Sequence, residues 1–450
     1  MAGFELSAGA NANKVFLANH SELAERFDPE MVSYNKKVKQ FKYATKPLKS
    51  LLLTSPQYGA NESGITRNSA QSPRYVRITD INEYGNLIDG LGVTAETVEK
   101  KYILNNNDLL FARSGNTVGK TYLHKSDAVS YSCFFAGYMI RFVVDSKKIL
   151  SDFLFLYTQL APYKDWVKAV QRTAGQPNIN AEEYKSLLIP LPDLATQEKF
   201  VDKYQQAEQA KQQKEEQAQA LLDSIDGYLL GELGITLTEQ DNHLEKRIFT
   251  VLFSEVTGGR LDPDICFTKH YKIEGGSYAN SPLHKLAHVN KGQSITSNHI
   301  IAGKYPVIAG GQSSPYSHNA FNYEGNIITV SASGAYAGFV WYHDYPIFAS
   351  DCSVIQSKDE EILNTLYLAE LLKTKQKEIY NLQQGAGQPH VYSRDLMQLN
   401  IPLPHISKQN EIATHIAQIR AQAKQLQTEA ENIIKTAKTE IESMILGDPA

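Results

Sequence analysis

The chain has 450 residues, of which 42% are hydrophobic and 21% charged, a composition that excludes a largely disordered protein and indicates two or more folded domains. No apolar run approaches the roughly 18 residues of a membrane-spanning helix, and the first residues lack the pattern of a signal peptide, so we expect a cytoplasmic protein. Three cysteines without a CxxC pair indicate neither a disulfide framework nor a zinc site, and a net charge of -4 does not by itself indicate a nucleic-acid binder.

Short strands are predicted over the first 150 residues. Residues 74–81, 108–113 and 133–144 are rich in Val, Ile, Tyr and Phe, and turn-forming residues separate them. Charge is concentrated here, because residues 31–150 hold 17 Lys and Arg against 9 Asp and Glu. Arginine bridges the guanine edge in the major groove and lysine neutralises phosphates, so basic and aromatic residues near the turns are candidate DNA contacts. They are Arg67, Arg74, Tyr75, Arg77, Arg113 and Lys120.

The glycine-rich turn "ARSGNTVGKT" at residues 112–121 is similar to a phosphate-binding loop, since glycine, lysine and threonine are the residue types that cradle phosphates and magnesium. The spacing does not fit, because Ser114 stands where the pattern needs its first glycine. A turn between strands, with Lys120 able to touch a DNA phosphate, is the favoured interpretation, and a nucleotide hydrolase stays open as an alternative function. The motif "HKLAH" at residues 284–288 lacks the glutamate of a zinc protease. The sequence therefore predicts no catalytic residue, no metal site and no cofactor.

A helical segment at residues 153–166 leads into "AGQPNINAEEYKSLLIPLP" at residues 174–192. Within this stretch "GQP" predicts a turn, and Asn180 with Glu183 three residues later is the pattern of a capping box that starts a short helix. The "IPLP" segment must be extended, because each proline pushes the preceding residue out of the helical region. The stretch therefore delivers the chain to the long helix that follows.

A long helix with a heptad pattern is predicted from residue 200 onward. Positions that step by four and three hold mostly apolar residues, and the same register returns 212 residues later. Over about four heptads this is a coiled-coil pattern, and the lysines in the seam favour pairing of the two helices with each other. Packing of each helix on its own domain is the alternative. The predicted core residues are Phe200, Tyr204, Leu221, Ile225, Ile412, Ile416, Ile419, Leu426 and Ile433.

The sequence repeats itself along its length. The stretch at residues 174–192 returns as "AGQPHVYSRDLMQLNIPLP" at residues 386–404, "SGNTVG" returns as "SGAYAG" 219 residues later, and Cys133 matches Cys352. The offset is 234 and then 235 near the start of the repeat, later 219 and finally 212, so the first copy carries extra residues in its middle. Two copies of about 220 residues make one molecule.

The second copy differs from the first in charge. Residues 265–362 hold 6 Lys and Arg against 7 Asp and Glu, so this region has almost no basic field. Its turns still carry polar and aromatic side chains of the kinds that contact bases. The candidate DNA contacts are Gln293, Lys304, Gln312, Ser313, Tyr316 and Tyr336.

The doubled segment, in which "GQP" and "IPLP" lead into a long heptad helix, with "DLLFARSGNTVGK" upstream, resembles the specificity subunit of type I restriction-modification enzymes. The resemblance covers essentially the whole chain. It implies an α+β fold in which two tandem target recognition domains of mixed β-sheet with short helices are joined and spaced by two long antiparallel coiled-coil helices, with pseudo-twofold symmetry. The domains would span residues 1–192 and 235–404, and the spacer helices residues 193–234 and 405–450.

The resemblance also implies a function. Each recognition domain would read one half of a bipartite double-stranded DNA target, and the helices would dock two methyltransferase subunits, through which restriction subunits join. The chain itself would not be an enzyme. A related system with methylase and nuclease on one polypeptide is the alternative. The residues implied to hold each domain on its helix are Gly175, Gln176, Pro177, Pro190, Pro192, Gly387, Gln388, Pro389, Pro402 and Pro404.

Overall fold

The chain forms two compact units. The computed structural model describes residues 29–171, 177–237, 273–314, 316–385 and 387–447. The first unit comprises residues 1–213 together with 429–450, and the second comprises residues 214–428. Each unit therefore contains one copy of the repeat and one half of each of the two long helices.

The first unit mixes short strands with short helices. Its elements in chain order are α1 (Pro29–Val38), β1 (Thr45–Pro47), β2 (Gln57–Tyr58), β3 (Ile65–Thr66), β4 (Arg74–Val76), β5 (Val93–Thr94), β6 (Leu109–Ala112), β7 (Thr121–Leu123), β8 (Cys133–Phe135), β9 (Met139–Phe142), α2 (Ser151–Thr158), α3 (Ala161–Val170), α4 (Ala181–Ser186), β10 (Leu188–Pro190) and the first half of α5 (Leu194–Leu233). An antiparallel sheet has the order β2-β9-β6-β7, and smaller pairings join β4 to β8 in parallel, β3 to β5, and β1 to β10.

The core of the first unit lies between its four-stranded sheet and its helices. All four residues of β6 are buried, as expected of a central strand covered on both faces. The ring of Phe111 on this strand contacts Phe142 and Tyr184 edge to face, with centroids 4.9 and 5.0 Å apart. Asn180 caps α4 and forms a capping box with Glu183, so the predicted capping box is confirmed.

The second unit repeats this plan. Its elements are the second half of α5, β11 (Asn280–Pro282), α6 (Leu283–Leu286), β12 (Ala287–Lys291), β13 (Tyr305–Ile308), β14 (Ser317–His318), β15 (Ile327–Ser331), β16 (Val340–His343), β17 (Phe348–Ala349), β18 (Cys352–Ser357), α7 (Thr365–Thr374), α8 (Gln376–Tyr380), α9 (Ser393–Leu396), β19 (Asn400–Pro402) and the first half of α10 (Ile406–Leu446). The sheet order β12-β18-β15-β16 matches β2-β9-β6-β7. The parallel pair β13 and β17 matches β4 and β8, and the pair β11 and β19 matches β1 and β10. The predicted fold class is confirmed.

The two long helices pack against each other within each unit. In the first unit Tyr204 shares a core with Ile441, and Lys203 forms an ion pair with Glu440 at 2.7 Å. In the second unit Ile225 shares a core with Ile416, and the rings of Tyr228 and His415 lie 4.3 Å apart. Because the amino-terminal half of each helix meets the carboxyl-terminal half of the other, the pair is antiparallel.

The apolar seam departs from a strict heptad toward the end of each helix. Leu229 and Ile434 are buried one residue beyond the positions that the heptad gives, while the predicted Ile433 is half-buried. An undistorted α-helix has 3.6 residues per turn, so its buried face drifts relative to a 3.5-residue repeat unless the helix supercoils. The predicted residues that the structure buries are Phe200, Tyr204, Ile225, Ile412, Ile416 and Ile419, and those that it half-buries are Leu221, Leu426 and Ile433.

Backbone pairing corrects one detail of the predicted repeat. Cys352 begins β18 and pairs with Ser331, as Met139 begins β9 and pairs with Ala112. Cys352 therefore corresponds to Met139, and the prediction that it matches Cys133 is wrong. The cysteine recurs by chance, because the first copy carries extra residues between β7, which ends at Leu123, and β8, where the second copy has only a short connection between β16 and β17. Cys133 and Cys352 are buried free thiols, and Cys266 lies outside the described residues.

Among the described residues, no helix is both long and apolar enough to cross a membrane.

A buried histidine gives the second unit a predicted sensitivity to acid. His343 on β16 is fully buried, its Nε2 lies 2.9 Å from Thr329 Oγ1, and its Nδ1 has no hydrogen-bond partner in the described part of the chain. Burial lowers the pKa of His343 to about 4. An unfolded histidine titrates near its ordinary pKa of about 6.5, so between the two values the unfolded chain binds a proton that the folded unit does not, and stability falls as the pH drops.

We expect this difference to remove about 1 kcal/mol from the free energy of unfolding of the second unit between pH 7 and about 5.5. His343→Gln keeps a side-chain partner for Thr329 but does not titrate, so it should flatten the pH dependence. Urea unfolding monitored at the two pH values measures this. An equal loss of stability in the wild type and in H343Q would contradict the assignment.

Candidate nucleic-acid interface and its attachment to the long helices

Each copy of the repeat is attached to a long helix by a short extended segment. In the first unit β10 pairs with β1 in antiparallel register, so that Pro190 lies opposite Thr45. The backbone N–H of Leu191 donates to Ala44 O at 3.0 Å, immediately before Pro192. In the second unit Pro402 lies opposite Asn280 in the same arrangement, and Pro404 follows. The predicted extended "IPLP" segments are thus short edge strands that lead directly into α5 and α10.

A buried glutamine fastens each of these segments to the start of its helix. Gln197 is fully buried, its Oε1 accepts a hydrogen bond from Leu150 N at 2.9 Å, and its Nε2 donates to Pro192 O at 2.9 Å. Gln409 does the same with Asn364 N and Pro404 O, at 2.9 and 2.8 Å. Leu150 and Asn364 are the residues that precede α2 and α7. One amide therefore joins the extended segment, the long helix and the start of another helix in each unit.

These glutamines were not among the predicted junction residues. The sequence does contain a signal for them. Each glutamine lies five residues after the last proline of its copy of the doubled segment, so the two are separated by the same 212 residues as the segments. Their role was not apparent from the sequence, since glutamine is usually exposed on a helix. Only the tertiary structure places a backbone N–H group, that of Leu150 or Asn364, beside each side chain.

The predicted turn of the doubled segment pairs with the glycine-rich turn. Gly115 N donates to Pro177 O at 3.1 Å, and Ile179 N donates to Arg113 O at 2.8 Å. The second unit has the same two bonds, from Gly334 N to Pro389 O at 3.1 Å and from Val391 N to Ala332 O at 3.0 Å. Gly387 and Gln388 are exposed beside this pairing, whereas the predicted Gly175 and Gln176 lie outside the described residues.

The glycine-rich turn is not a phosphate-binding loop. Gly115 and Gly119 have φ angles of 84° and 87°, which glycine adopts without strain, and a Cβ on Gly119 would lie 2.8 Å from the side chain of Val167. The chain continues into the strand β7, whereas a phosphate-binding loop leads into a helix whose amino terminus faces the phosphates. The structure therefore gives no support to the nucleotide-hydrolase alternative.

Arginine and tyrosine side chains lie together at one end of the first unit's strands. Arg77 directly follows β4, Arg113 directly follows β6, and Tyr138 lies between the strands β8 and β9. Arg113 N donates to Tyr138 O at 2.9 Å, and the Arg113 guanidinium lies 4.9 Å from the ring centroid of Tyr58. We call this set, Tyr58, Arg77, Arg113 and Tyr138, the arginine surface.

The arginine surface combines exposed rings with fixed cations. Tyr138 is 65% exposed and Tyr58 39%. Arg77 is held by Asp80, whose carboxylate accepts from Arg77 Nε at 2.9 Å and raises the pKa of Arg77. Stacked and paired guanidiniums lose less side-chain freedom when they bind, so this surface suits recognition of an electron-rich base edge or a phosphate.

Three of the predicted contacts are internal instead. Arg67, Arg74 and Tyr75 are 1, 3 and 3% exposed. Arg67 donates to the carbonyl oxygens of Ser72 and Leu91, both at 2.8 Å, and so ties a loop to the domain. This burial corrects the prediction that these side chains contact DNA directly, since a group that reads a base edge must be accessible.

Arg74 and Tyr75 are also committed to partners inside the unit. Arg74 donates to Ile88 O at 2.8 Å and to Tyr131 Oη at 3.1 Å, while Tyr75 donates to Ala60 O at 2.8 Å. Lys120 is half-buried and donates from Nζ to Ile81 O at 2.7 Å. Part of the basic charge counted in the sequence is therefore used to hold loops rather than to present a charged face.

The candidate contacts of the second unit lie at its surface. Tyr316 is 55% exposed and Tyr336 46%, and Lys304 lies 4.9 Å from the ring centroid of Tyr305. The predicted residues that are exposed are Gln293, Lys304, Gln312, Ser313, Tyr316 and Tyr336. Tyr58 and Tyr138 of the first unit and Asp351 of the second are surface residues that the sequence did not single out, because an exposed side chain in a turn leaves no periodic pattern.

In the described ranges, no three His, Cys, Asp or Glu side chains are grouped so that they could hold a metal ion.

Comparison with known proteins gives a family and several similar structures. The model of the type I restriction modification DNA specificity domain matches residues 66–221 and again residues 277–436. No curated protein sequence matches the chain. The chain is similar to a chain of a structure that describes complex assembly and conformational transition of the type I R-M system. The two share 14% identity over 90% of this chain and 98% of that chain, with a TM-score of 0.52.

Two crystal structures of single subunits are also similar. The S subunit of a type I restriction-modification system from M. genitalium has 14% identity over 95% of this chain and 99% of its own, with a TM-score of 0.46. The HsdS subunit from Thermoanaerobacter tengcongensis has 15% identity over 90% of this chain and 97% of its own, with a TM-score of 0.39.

The buried glutamines generate a test of the attachment. Gln197→Ala leaves the N–H of Leu150 without its partner, and Gln409→Ala does the same to Asn364. We expect each change to lower the free energy of unfolding of its own unit by about 1 to 3 kcal/mol, the cost of burying an unsatisfied polar group. Urea unfolding of each variant measures the loss.

Gln209→Ala is the matched control, because Gln209 is exposed on the same helix as Gln197. It should change the free energy of unfolding by no more than about 0.5 kcal/mol. A loss in Q209A equal to that in Q197A would mean that helix composition, and not the buried amide, determines the effect.

Proposed function

Because the chain belongs to the type I restriction-modification DNA specificity family, with two copies of the domain, we propose that each unit reads one half of a bipartite double-stranded DNA target. The observation that supports this most is the duplication of one plan in two units. Each unit has its own sheet, its own glycine-rich turn and its own surface of polar and aromatic residues beside that turn. Two such surfaces in one chain suit a target with two separate parts.

The chemistry of the arginine surface supports base reading by the first unit. A guanidinium that donates two hydrogen bonds matches the O6 and N7 acceptors of guanine in the major groove. Arg113 is the best candidate, because no carboxylate forms an ion pair with it among the described residues and the Tyr58 ring holds its guanidinium in place. Arg77, which already binds Asp80, suits a supporting contact to phosphate or base.

The second unit would read DNA with neutral groups. Gln312 and Ser313 offer amide and hydroxyl groups that hydrogen-bond to base edges, and Tyr336 offers an exposed ring. Few phosphates would be neutralised by this unit, so its contribution to affinity would be small and less sensitive to salt. We propose that tight binding therefore requires the assembled complex.

We further propose that this chain determines which DNA sequence the complex binds and that its partner subunits carry the active sites. The similar chain in the type I R-M assembly structure belongs to a system that forms a complex. By this analogy, two methyltransferase subunits would dock on the paired helices α5 and α10, and restriction subunits would join through them.

Independent reading by the two units predicts separable effects of mutation. Arg113→Ala should relax the specificity of one half-site only, by about 1 to 3 kcal/mol if it removes a bidentate base contact. Tyr336→Ala should affect only the other half-site. The measurement is the methylated motif in genomic DNA of cells that express each variant with its methyltransferase partner. Relaxation of both half-sites by R113A would contradict the proposal, and absence of any bipartite motif with the wild type would reject it.

Spacing by the paired helices is a second consequence of the proposal. Insertion of four residues after Gln213 and four after Thr428 adds about 6 Å to each helix, equivalent to one or two base pairs at about 3.4 Å each. We expect the gap between the half-sites to lengthen while the half-sites stay unchanged, as read from the methylated motif. Replacement of the exposed Gln217 and Gln427 by Ala should alter neither. A changed half-site with an unchanged gap would disprove the proposal that the paired helices set the distance between the half-sites.

A further inference from the structure

The two units can be aligned residue by residue through their backbone hydrogen bonds. Arg113 N donates to Tyr138 O in the first unit, and Ala332 N donates to Asp351 O in the second, at 2.9 and 3.2 Å. Both bonds connect the residue after the central strand, β6 or β15, to the turn before β9 or β18. Arg113 therefore corresponds to Ala332, and Tyr138 corresponds to Asp351.

The parallel strand pairs extend this alignment. Ala136 N donates to Val76 O at 3.0 Å, and Ser350 N donates to Ile308 O at 2.7 Å. The residue that follows Val76 is Arg77, and the residue that follows Ile308 is Ala309. Arg77 and Ala309 thus occupy the same place.

The arginine surface is therefore replaced in the second unit by a set of different chemistry. Both arginines become alanines, the exposed Tyr138 becomes Asp351, and Lys291 stands in place of Tyr58, since Lys291 pairs with Ser353 as Tyr58 pairs with Ile140. We call Lys291, Ala309, Ala332 and Asp351 the aspartate surface. It presents a carboxylate at the point where the first unit presents a tyrosine.

The Asp351 carboxylate is available to a ligand. Asp351 is exposed, and Ser333 Oγ donates to its Oδ2. In the described part of the chain it takes part in no ion pair. A Cβ built on Gly310 would lie 3.6 Å from Asp351 Oδ2, which places the carboxylate beside the loop that carries Gln312 and Ser313. The exposed carboxylate therefore lies next to candidate contacts of this unit.

The turn itself does not require the carboxylate. The first unit has Ser114 at the position of Ser333 and Tyr138 at that of Asp351, so no carboxylate is present there. Its turn nevertheless has the same geometry, with φ angles of 84° at Gly115 and 89° at Gly334, and the same pairing with the "GQP" segment. Holding the turn therefore does not account for Asp351.

We infer that Asp351 reads the exocyclic amino group of a base, cytosine N4 or adenine N6, in the half-site of the second unit. An ionised carboxylate only accepts hydrogen bonds, and among groups on the major-groove edge only these two amino groups donate. Ser333 orients the carboxylate, and the alanines at positions 309 and 332 leave room for the base edge beside it. This inference rests on the proposed function, because it names the chemical group that one of the two readers recognises.

Asp351 would distinguish bases by repelling those that present only acceptors as well as by attracting those that present an amino group. A carboxylate that faces guanine O6 and N7, or thymine O4, meets acceptors only and leaves both partners unsatisfied. The same negative charge is repelled by phosphates, which accords with the near absence of a basic field in residues 265–362. The second unit would thus be selective at the expense of affinity.

The test uses the wild-type chain with its methyltransferase partner, and compares Asp351→Ala, Asp351→Asn and the control Glu324→Gln. Glu324 is an exposed acid that precedes β15, at the opposite end of that strand from Asp351. The methylated motif in genomic DNA and binding of the complex to DNA duplexes that differ at one position are measured. We expect D351A to lower the preference at a single position of one half-site by about 5- to 150-fold and to leave the other half-site unchanged.

The identity of the base decides the behaviour of D351N. Asparagine pairs with adenine N6 and N7, so D351N should keep an adenine and should turn a cytosine preference toward adenine. E324Q should leave the motif unchanged. Ser333→Ala should weaken the same preference without creating a new one, because it only orients the carboxylate.

Other results would overturn the inference. Equal strengthening of binding to all duplexes in D351A and D351N would mean that Asp351 acts only through its charge. Weaker assembly with the methyltransferase and an unchanged motif would mean that it contacts a protein. If the wild type gives a bipartite motif and D351A leaves both half-sites intact, this inference fails while the proposed function stands. Absence of a bipartite motif in the wild type would reject the proposed function itself.

Discussion

The attachment of each unit to its long helix depends on one buried amide. Gln197 and Gln409 accept from the N–H group that precedes a neighbouring helix and donate to the carbonyl of the last proline before their own helix. Neither an apolar residue nor a charged one can do both, because this fully buried site needs one acceptor and one donor. The direction in which each domain leaves its helix is therefore fixed by hydrogen bonds of specific geometry and not only by apolar packing, which tolerates small rotations.

Features with a local or periodic cause could be predicted from the sequence. The capping box of Asn180 and Glu183 needs only neighbouring residues, and the pairing of the long helices follows from apolar residues at a repeated spacing. The exact seam could not be predicted, because the drift that buries Ile434 rather than Ile433 depends on how far the helices supercoil. The partners of Arg67 could not be predicted either, since its acceptors belong to a loop that is held in place by the fold.

The two copies show which parts of the plan are constrained by the backbone. The glycine-rich turn, the "GQP" pairing, the extended segment and the glutamine recur in both units with nearly identical hydrogen bonds. Side chains at the ends of the strands differ in charge and size, as at Arg113 and Ala332. A scaffold fixed by main-chain bonds permits such exchange, because these side chains take no part in holding the turn. The candidate site was for this reason only partly visible in the sequence, where buried and exposed arginines look alike.

The antiparallel pairing of α5 and α10 also bears on the order in which the molecule is made. The second unit is continuous in sequence over residues 214–428, whereas the first needs residues 429–446 of α10 to cover Phe200 and Tyr204. On a ribosome, the segment with residues 29–213 emerges early but has to wait for those last turns of helix before its apolar face is covered. The second unit begins later in the sequence, but its last residue, Thr428, is synthesised before the α10 residues that complete the first unit. The usual order, in which the amino-terminal domain is completed first, is therefore reversed. Until then the exposed face of α5 is the part of the nascent chain that a chaperone would have to protect.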